Sequence, residues 1–185
     1  MKLDAVTQLT RALLDAAADL LAARGFRGLR MADVATRAGV SRQTVYNEFG
    51  NKERIVDAVA RYKTEQFLAG VRERLAGTPD PVDGIREAMR FVFSLAAEDP
   101  LTNSVLAGGT RAEDVLPLVT TKGGPVLAAA TAVFLEHVRA HWPRVPAERA
   151  ELIAETVVRT AISHLLTPTR HGVDAVMAVT TALLP

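Results

Sequence analysis

Three sets of side chains hold most of the polar chemistry open to this sequence. The first is Arg42-Gln43-Thr44-Val45-Tyr46-Asn47, followed at a short distance by Lys52. A guanidinium matches the paired acceptors of guanine, and a side-chain amide matches the donor–acceptor edge of adenine. Arg42, Gln43 and Asn47 are therefore candidate base readers. Thr44, Tyr46 and Lys52 can hold phosphates and fix register. The second set is His137 and His141, four apart on one helical face, a spacing that could seat a metal. No third ligand lies near them in the chain and there is no cysteine, so no metal site is expected. The pair reads instead as a partly exposed helix end, where a protonated imidazole suits the dipole. The third is His164, within an apolar helix, read as a core or interface histidine rather than a catalytic base. No phosphate-binding glycine loop, Gly-x-Ser-x-Gly elbow or His-Glu-x-x-His pair occurs. Catalytic residues and cofactors are thus expected to be absent, and the chain does not read as an enzyme. The rival from that class is a helical enzyme or metal module built on His137, His141 and His164.

The elements that must position these residues are helices. Val6, Leu9, Leu13, Ala17 and Leu20 recur at three and four residues, and no alternating run of strand length appears. Helices are predicted at about 4–24, 31–38, 42–48, 52–76, 83–98, 101–107, 112–122, 125–141, 147–167 and 172–184. The fold class is all-α, with nine to ten helices. Gly25 and Gly39 are placed as C-terminal stops and Ser41 as an N-cap. In Met31–Lys52, Ala35, Gly39 and Val45 fall where two helices need a close approach, a left-handed turn and an apolar wedge. That is the pattern of a helix-turn-helix, whose second helix enters the DNA major groove. The alternative on spacing alone is an ordinary helical hairpin with a polar outer face.

The chain has 185 residues, 22 Lys+Arg against 21 Asp+Glu, and 49% apolar residues. Such a chain can bury a real core and is not a disordered polyelectrolyte. The near-neutral balance hides an asymmetry: residues 1–63 carry a net +4 and residues 64–185 a net −3. A basic N-terminal third suits an anionic partner. No signal peptide or membrane-spanning stretch is evident, so a soluble, cytoplasmic protein with no membrane partner is expected.

The run Val40-Ser-Arg-Gln-Thr-Val-Tyr-Asn-Glu-Phe-Gly-Asn-Lys-Glu53 resembles the signature of TetR-type transcriptional regulators. With it go the Gly25-Phe26 turn and the final Tyr46, Phe49, Lys52 and Glu53. The resemblance covers residues 8–56; beyond them only length and helix count match. It implies a helix-turn-helix DNA-binding domain over residues 1–50 and a ligand-binding and dimerisation bundle over 51–185. It also implies a homodimer on double-stranded DNA at a palindromic operator, repressing until a small ligand binds. By matched position, Arg42, Gln43 and Asn47 should read bases, and Thr44, Tyr46 and Lys52 should grip backbone. Two positions depart from the family pattern. Arg30 stands where Ser or Thr often caps the second helix, and could reach a phosphate instead. Glu48 replaces a neutral group; an acid among phosphates is repelled, so it is expected to face away.

In the C-terminal part, helices 147–167 and 172–184 are apolar nearly all round, which asks for cover on both sides. A second subunit packed through residues 147–184 is expected to supply it, with Ile162 and Val176 as test positions. Met89, Phe93, Leu106, Leu127 and Phe134 are bulky and apolar on segments flanked by breaks. A cavity is the norm in a TetR-type body, so these five are the candidate ligand contacts, and the scarcity of polar groups among them points to a small apolar effector. Arg159, His137 or His164 could supply one polar contact. An activator, or a repressor without a ligand, is the rival within the same class.

Overall fold

The computed structural model describes residues 8–98 and 124–185. The described residues form eight helices and no strand: α1 (Gln8–Gly28), α2 (Met31–Ala38), α3 (Arg42–Phe49), α4 (Lys52–Ala76), α5 (Pro81–Glu98), α6 (Gly124–His141), α7 (Ala147–Leu166) and α8 (Gly172–Leu183). The all-α expectation holds. The helices expected at 101–107 and 112–122, and the start of α1 at residue 4, lie outside the described residues.

Local chemistry sets most boundaries. Gly25, at φ 67° and ψ 179°, breaks the helical path of α1. That backbone state is open to glycine and strained for other residues. The expected stop at Gly25 is thus a kink, because a further helical turn runs on to Gly28. Gly39 takes the left-handed conformation (φ 70°, ψ 31°). The Val40 and Gly39 amides donate back to the Ala35 and Thr36 carbonyls, closing α2 as a Schellman turn. Ser41 Oγ accepts from the Thr44 amide at 3.1 Å and Asn51 Oδ1 from the Arg54 amide at 2.9 Å, capping α3 and α4. Each cap contributes roughly 1 kcal/mol. Helix α5 starts at Pro81 rather than Asp83. Asp80 Oδ1 accepts from the Val82 and Asp83 amides at 2.8 and 3.0 Å, and a proline in the first turn has no amide to leave unpaired.

Two apolar cores form. Leu13, Leu29, Val34, Val45 and Ile55, each at most 2% exposed, centre the first, between α1, α2, α3 and the first half of α4. The second is built from the rest of α4 with α5, α6, α7 and α8, around Ile85, Val138, Val157 and Val176. Helix α4 serves both: Ile55, Val59 and Tyr62 belong to the first core, and Leu68, Val71 and Leu75 to the second. Its contact with α5 is close at two glycines. A Cβ on Gly70 would lie 2.4 Å from Phe91 Cζ, and one on Gly84 would lie 2.7 Å from the Leu75 carbonyl oxygen.

Candidate nucleic-acid interface

Helix α3 is held so that one face is core and the other is solvent. Ala35 and Val45, 2% and 0% exposed, fill the crossing of α2 and α3, and Phe49 anchors the far end of α3. The Schellman turn at Gly39 and the Ser41 cap fix the angle between the helices. On the opposite side Arg42, Gln43, Tyr46 and Asn47 are exposed. Tyr46 is 42% exposed, too open for a core tyrosine. The pairs Arg42/Tyr46 and Gln43/Asn47 stand one turn apart, so the four form a single polar patch. Within it, Gln43 Nε2 donates to Asn47 Oδ1 at 2.8 Å, which orients both side-chain amides. Thr44 is half-buried, and its hydroxyl shares a 2.9 Å hydrogen bond with Ser41 Oγ.

Beside the patch lies an open cleft lined by Leu29, Arg30, Met31, Ala32, Arg42, Tyr46, Asn51, Lys52 and Glu53. It gathers four of the seven residues singled out for DNA contact: Arg30, Arg42, Tyr46 and Lys52. Arg30 precedes α2 in extended conformation (φ −125°, ψ 135°) and provides no side-chain cap, leaving its exposed guanidinium free of that duty. Lys52 is less free than the sequence implied. Its Nζ sits 4.4 Å from the Phe26 ring centroid and donates to the Arg27 carbonyl at 3.3 Å, so it also fastens the start of α4 to the end of α1. Glu48 does face away, accepting a hydrogen bond from Thr10 Oγ1 on α1. Nearby, Arg24 pairs with Asp33 and Arg37 with Asp19.

In the second core, Met89 and Phe134 are 6% and 3% exposed, and Phe93 and Leu127 pack partly buried against the same cluster. Leu106 lies outside the described residues. His137 corrects an expectation. It is 6% exposed rather than at an open helix end, and its Nε2–H donates to the Pro81 carbonyl at 3.1 Å, tying α6 to the start of α5. Burial pushes its pKa below the ordinary value; the Pro81 carbonyl opposes that, and neighbouring His141 adds to it. His141 Nδ1–H donates to the His137 carbonyl at 3.0 Å, so both side chains spend a ring nitrogen on backbone. No group of three or more metal-ligating side chains occurs among the described residues. Arg159 pairs with Glu155 at 2.6 Å, and His164 Nδ1 lies 3.4 Å from Thr169 Oγ1.

A capped two-helix unit with a polar, cation-flanked second helix defines a DNA-binding regulator of the helix-turn-helix class. Residues 13–59 match the family described as bacterial regulatory proteins, tetR family, and residues 80–185 match the bacterial tetracyclin repressor C-terminal domain. The chain belongs to the TetR family of transcriptional regulators, which are not enzymes. It is 31% identical over 169 residues to the HTH-type transcriptional regulator AlkX of Mycobacterium tuberculosis, covering 90% of this chain and 80% of that protein. A 32% identity over 87 residues links it to the transcriptional activator FasR of Mycolicibacterium smegmatis, covering 47% and 40% of the two chains. Among solved structures it is similar to the TetR family repressor AlkX from Dietzia sp. strain DQ12-45-1b, described as implicated in biodegradation of n-alkanes. That match has a TM-score of 0.68 and 28% identity, covering 96% of this chain and 93% of that one. None of the helices in the described residues is long and apolar enough to cross a membrane.

Proposed function

We propose that the protein is a ligand-released repressor that binds a palindromic operator as a homodimer. Residues 1–50 act as the DNA-binding domain, and residues 51–185 as the regulatory and dimerisation body. The observation that carries this is the exposed α3 patch beside a cationic cleft. In the groove, Arg42, Gln43 and Asn47 read base edges. Thr44, Tyr46, Lys52 and Arg30 set register through phosphates.

The dimer surface is the outer face of α7 and α8. Leu152, 67% exposed, stands there, and Ala178, Thr181 and Ala182 are exposed on α8. Val176 does not belong to that face: it is 0% exposed within its own chain, so a charge there would break the core rather than the dimer. Ile162 is half-buried and stays a rim position.

The effector is a mainly apolar molecule held by Met89, Phe93, Leu127 and Phe134. Similarity to a repressor implicated in n-alkane biodegradation favours a hydrocarbon or fatty-acyl compound over an aromatic one. Release works by differential affinity: a ~100-fold loss of operator binding requires ~2.7 kcal/mol of coupling between the two sites. Helix α4, shared by both cores, is the element through which the two sites can sense each other. The test is footprinting on DNA flanking the coding region, with and without long-chain effectors. A two-fold symmetric footprint that the effector erases supports the reading. Protection that is asymmetric or indifferent to every ligand contradicts it.

A further inference from the structure

Among the described residues, one buried polar atom beside the second core has no partner. Thr131 Oγ1, on α6, is shielded from solvent and makes no hydrogen bond. A threonine inside a helix ordinarily solves this alone, by donating to the carbonyl four residues back. Five others here do so: Thr36 to Ala32, Thr64 to Ala60, Thr160 to Thr156, Thr180 to Val176 and Thr181 to Met177, at 2.8–3.0 Å. Thr131 makes no such bond to Leu127. Its position is not random either. Leu127, Thr131, Phe134 and Val138 follow at four, three and four residues, so they share one stripe of α6. The other three are apolar and belong to or pack on the second core. A lone hydroxyl thus interrupts an apolar stripe that includes two of the proposed effector contacts.

Orphaned buried hydroxyls are uncommon and call for a reason. Valine, of nearly the same shape, would fill the position without that cost. We propose that Thr131 is the specificity-determining contact of the effector site, and that the effector carries one neutral oxygen, as an alcohol or carbonyl, on an apolar body. This rests on the effector reading above and sharpens it. A hydroxyl both donates and accepts, so either oxygen type satisfies it. An ionised head is disfavoured because a buried charge needs a partner of opposite sign. Arg90, Arg139 and Arg159 of the surrounding helices pair with Glu87, Glu151 and Glu155 at the surface. His137 already donates Nε2–H to the Pro81 carbonyl, and burial lowers its pKa.

The test titrates the full chain, unmutated and as Thr131→Val and Thr131→Ser, with decane, 1-decanol and decanoate, by calorimetry and thermal shift. The unmutated protein should bind 1-decanol about tenfold more tightly than decane, equivalent to ~1.4 kcal/mol. Thr131→Val should erase that ratio by weakening decanol alone, and Thr131→Ser should keep it. Without ligand, Thr131→Val should melt no lower than the unmutated protein, since it removes an unpaired polar group. A lower melting point would mean the hydroxyl is already satisfied and overturns the proposal. So would equal binding of decane and decanol, a ratio that survives Thr131→Val, or decanoate binding best. If none of the three binds, the apolar-effector reading fails and this inference with it. If decane and decanol bind alike, only this inference fails.

Discussion

Replacing Gly70 with alanine tests a close approach in the α4–α5 contact. The added methyl would lie 2.4 Å from Phe91 Cζ and 2.6 Å from Cε1. Ordinary carbon contacts begin near 3.5 Å, so the helices or the ring must yield by about 1 Å. The half-buried ring can turn aside only by giving up its neighbours. Phe67 stacks on it at 6.3 Å with 28° between planes, and the Arg74 guanidinium lies 4.2 Å from its centroid. Turning Phe91 away forfeits an aromatic pair of ~0.5–1.5 kcal/mol and a cation–π contact of ~0.5–1 kcal/mol. Spreading the helices instead carries the usual overpacking cost of ~1–3 kcal/mol. Against this, alanine gains about 1 kcal/mol of helix propensity over glycine. The net is a loss of ~1 kcal/mol, or ~2–4 °C in Tm for a chain of this size. Urea and thermal unfolding of Gly70→Ala measure it, and Gly70→Ala combined with Phe91→Leu should recover most of the loss. A rise in Tm for the single variant would show that propensity wins and that the close approach carries no weight.

Four further outcomes follow from the site and the cores. Arg42→Ala or Asn47→Ala should cost ~1–3 kcal/mol of operator binding and relax preference at particular base pairs, read by competition with single-base operator variants. Lys52→Ala should weaken all DNA sequences alike and lower the salt slope by about one. Because Lys52 also engages Phe26 and the Arg27 carbonyl, it should lower Tm too, unlike Arg42→Ala. Leu152→Glu should give monomers at micromolar concentration by light scattering with little change in helical content, whereas Val176→Glu should unfold the chain. His137 has a folded-state pKa below its unfolded value, so the unfolded state binds the extra proton first. Stability should therefore be full above about pH 6.5 and fall as pH drops toward the folded pKa, by up to ~1.4 kcal/mol per unit, and His137→Gln should flatten that fall.

What the sequence made legible was local. Gly39 and Ser41 act within three to five residues of themselves, so the helix-turn-helix and the exposed set on α3 are legible in the sequence. The misses are long-range or depend on which face a helix turns inward. The engagement of Lys52 with Phe26 crosses 26 positions, and that of His137 with Pro81 crosses 56. Nothing in the spacing of either residue signals its partner. Val176 on α8 and Leu152 on α7 are both apolar, yet one is core and the other faces out; each helix carries apolar residues around most of its circumference, so the sequence pattern alone does not fix which face turns inward. Thr131 went unnoticed because a threonine in a helix is unremarkable until its hydroxyl is seen to lack the usual carbonyl. The α5 start is the opposite case: Asp80 followed by Pro81 is a readable cap signal, and it places the boundary two residues earlier than periodicity did.

Reading of a specific operator by α3 within a dimer has a thermodynamic signature in solution. The most direct measurement is an anisotropy titration of the full chain against flanking DNA and a scrambled duplex of equal length and composition, at fixed salt, with stoichiometry determined. Binding to the genuine site should be at least ~10³-fold tighter, with an even number of chains per site and with Arg42→Ala closing most of the gap. Equal affinity for the two duplexes, or saturation by a single chain, would contradict it.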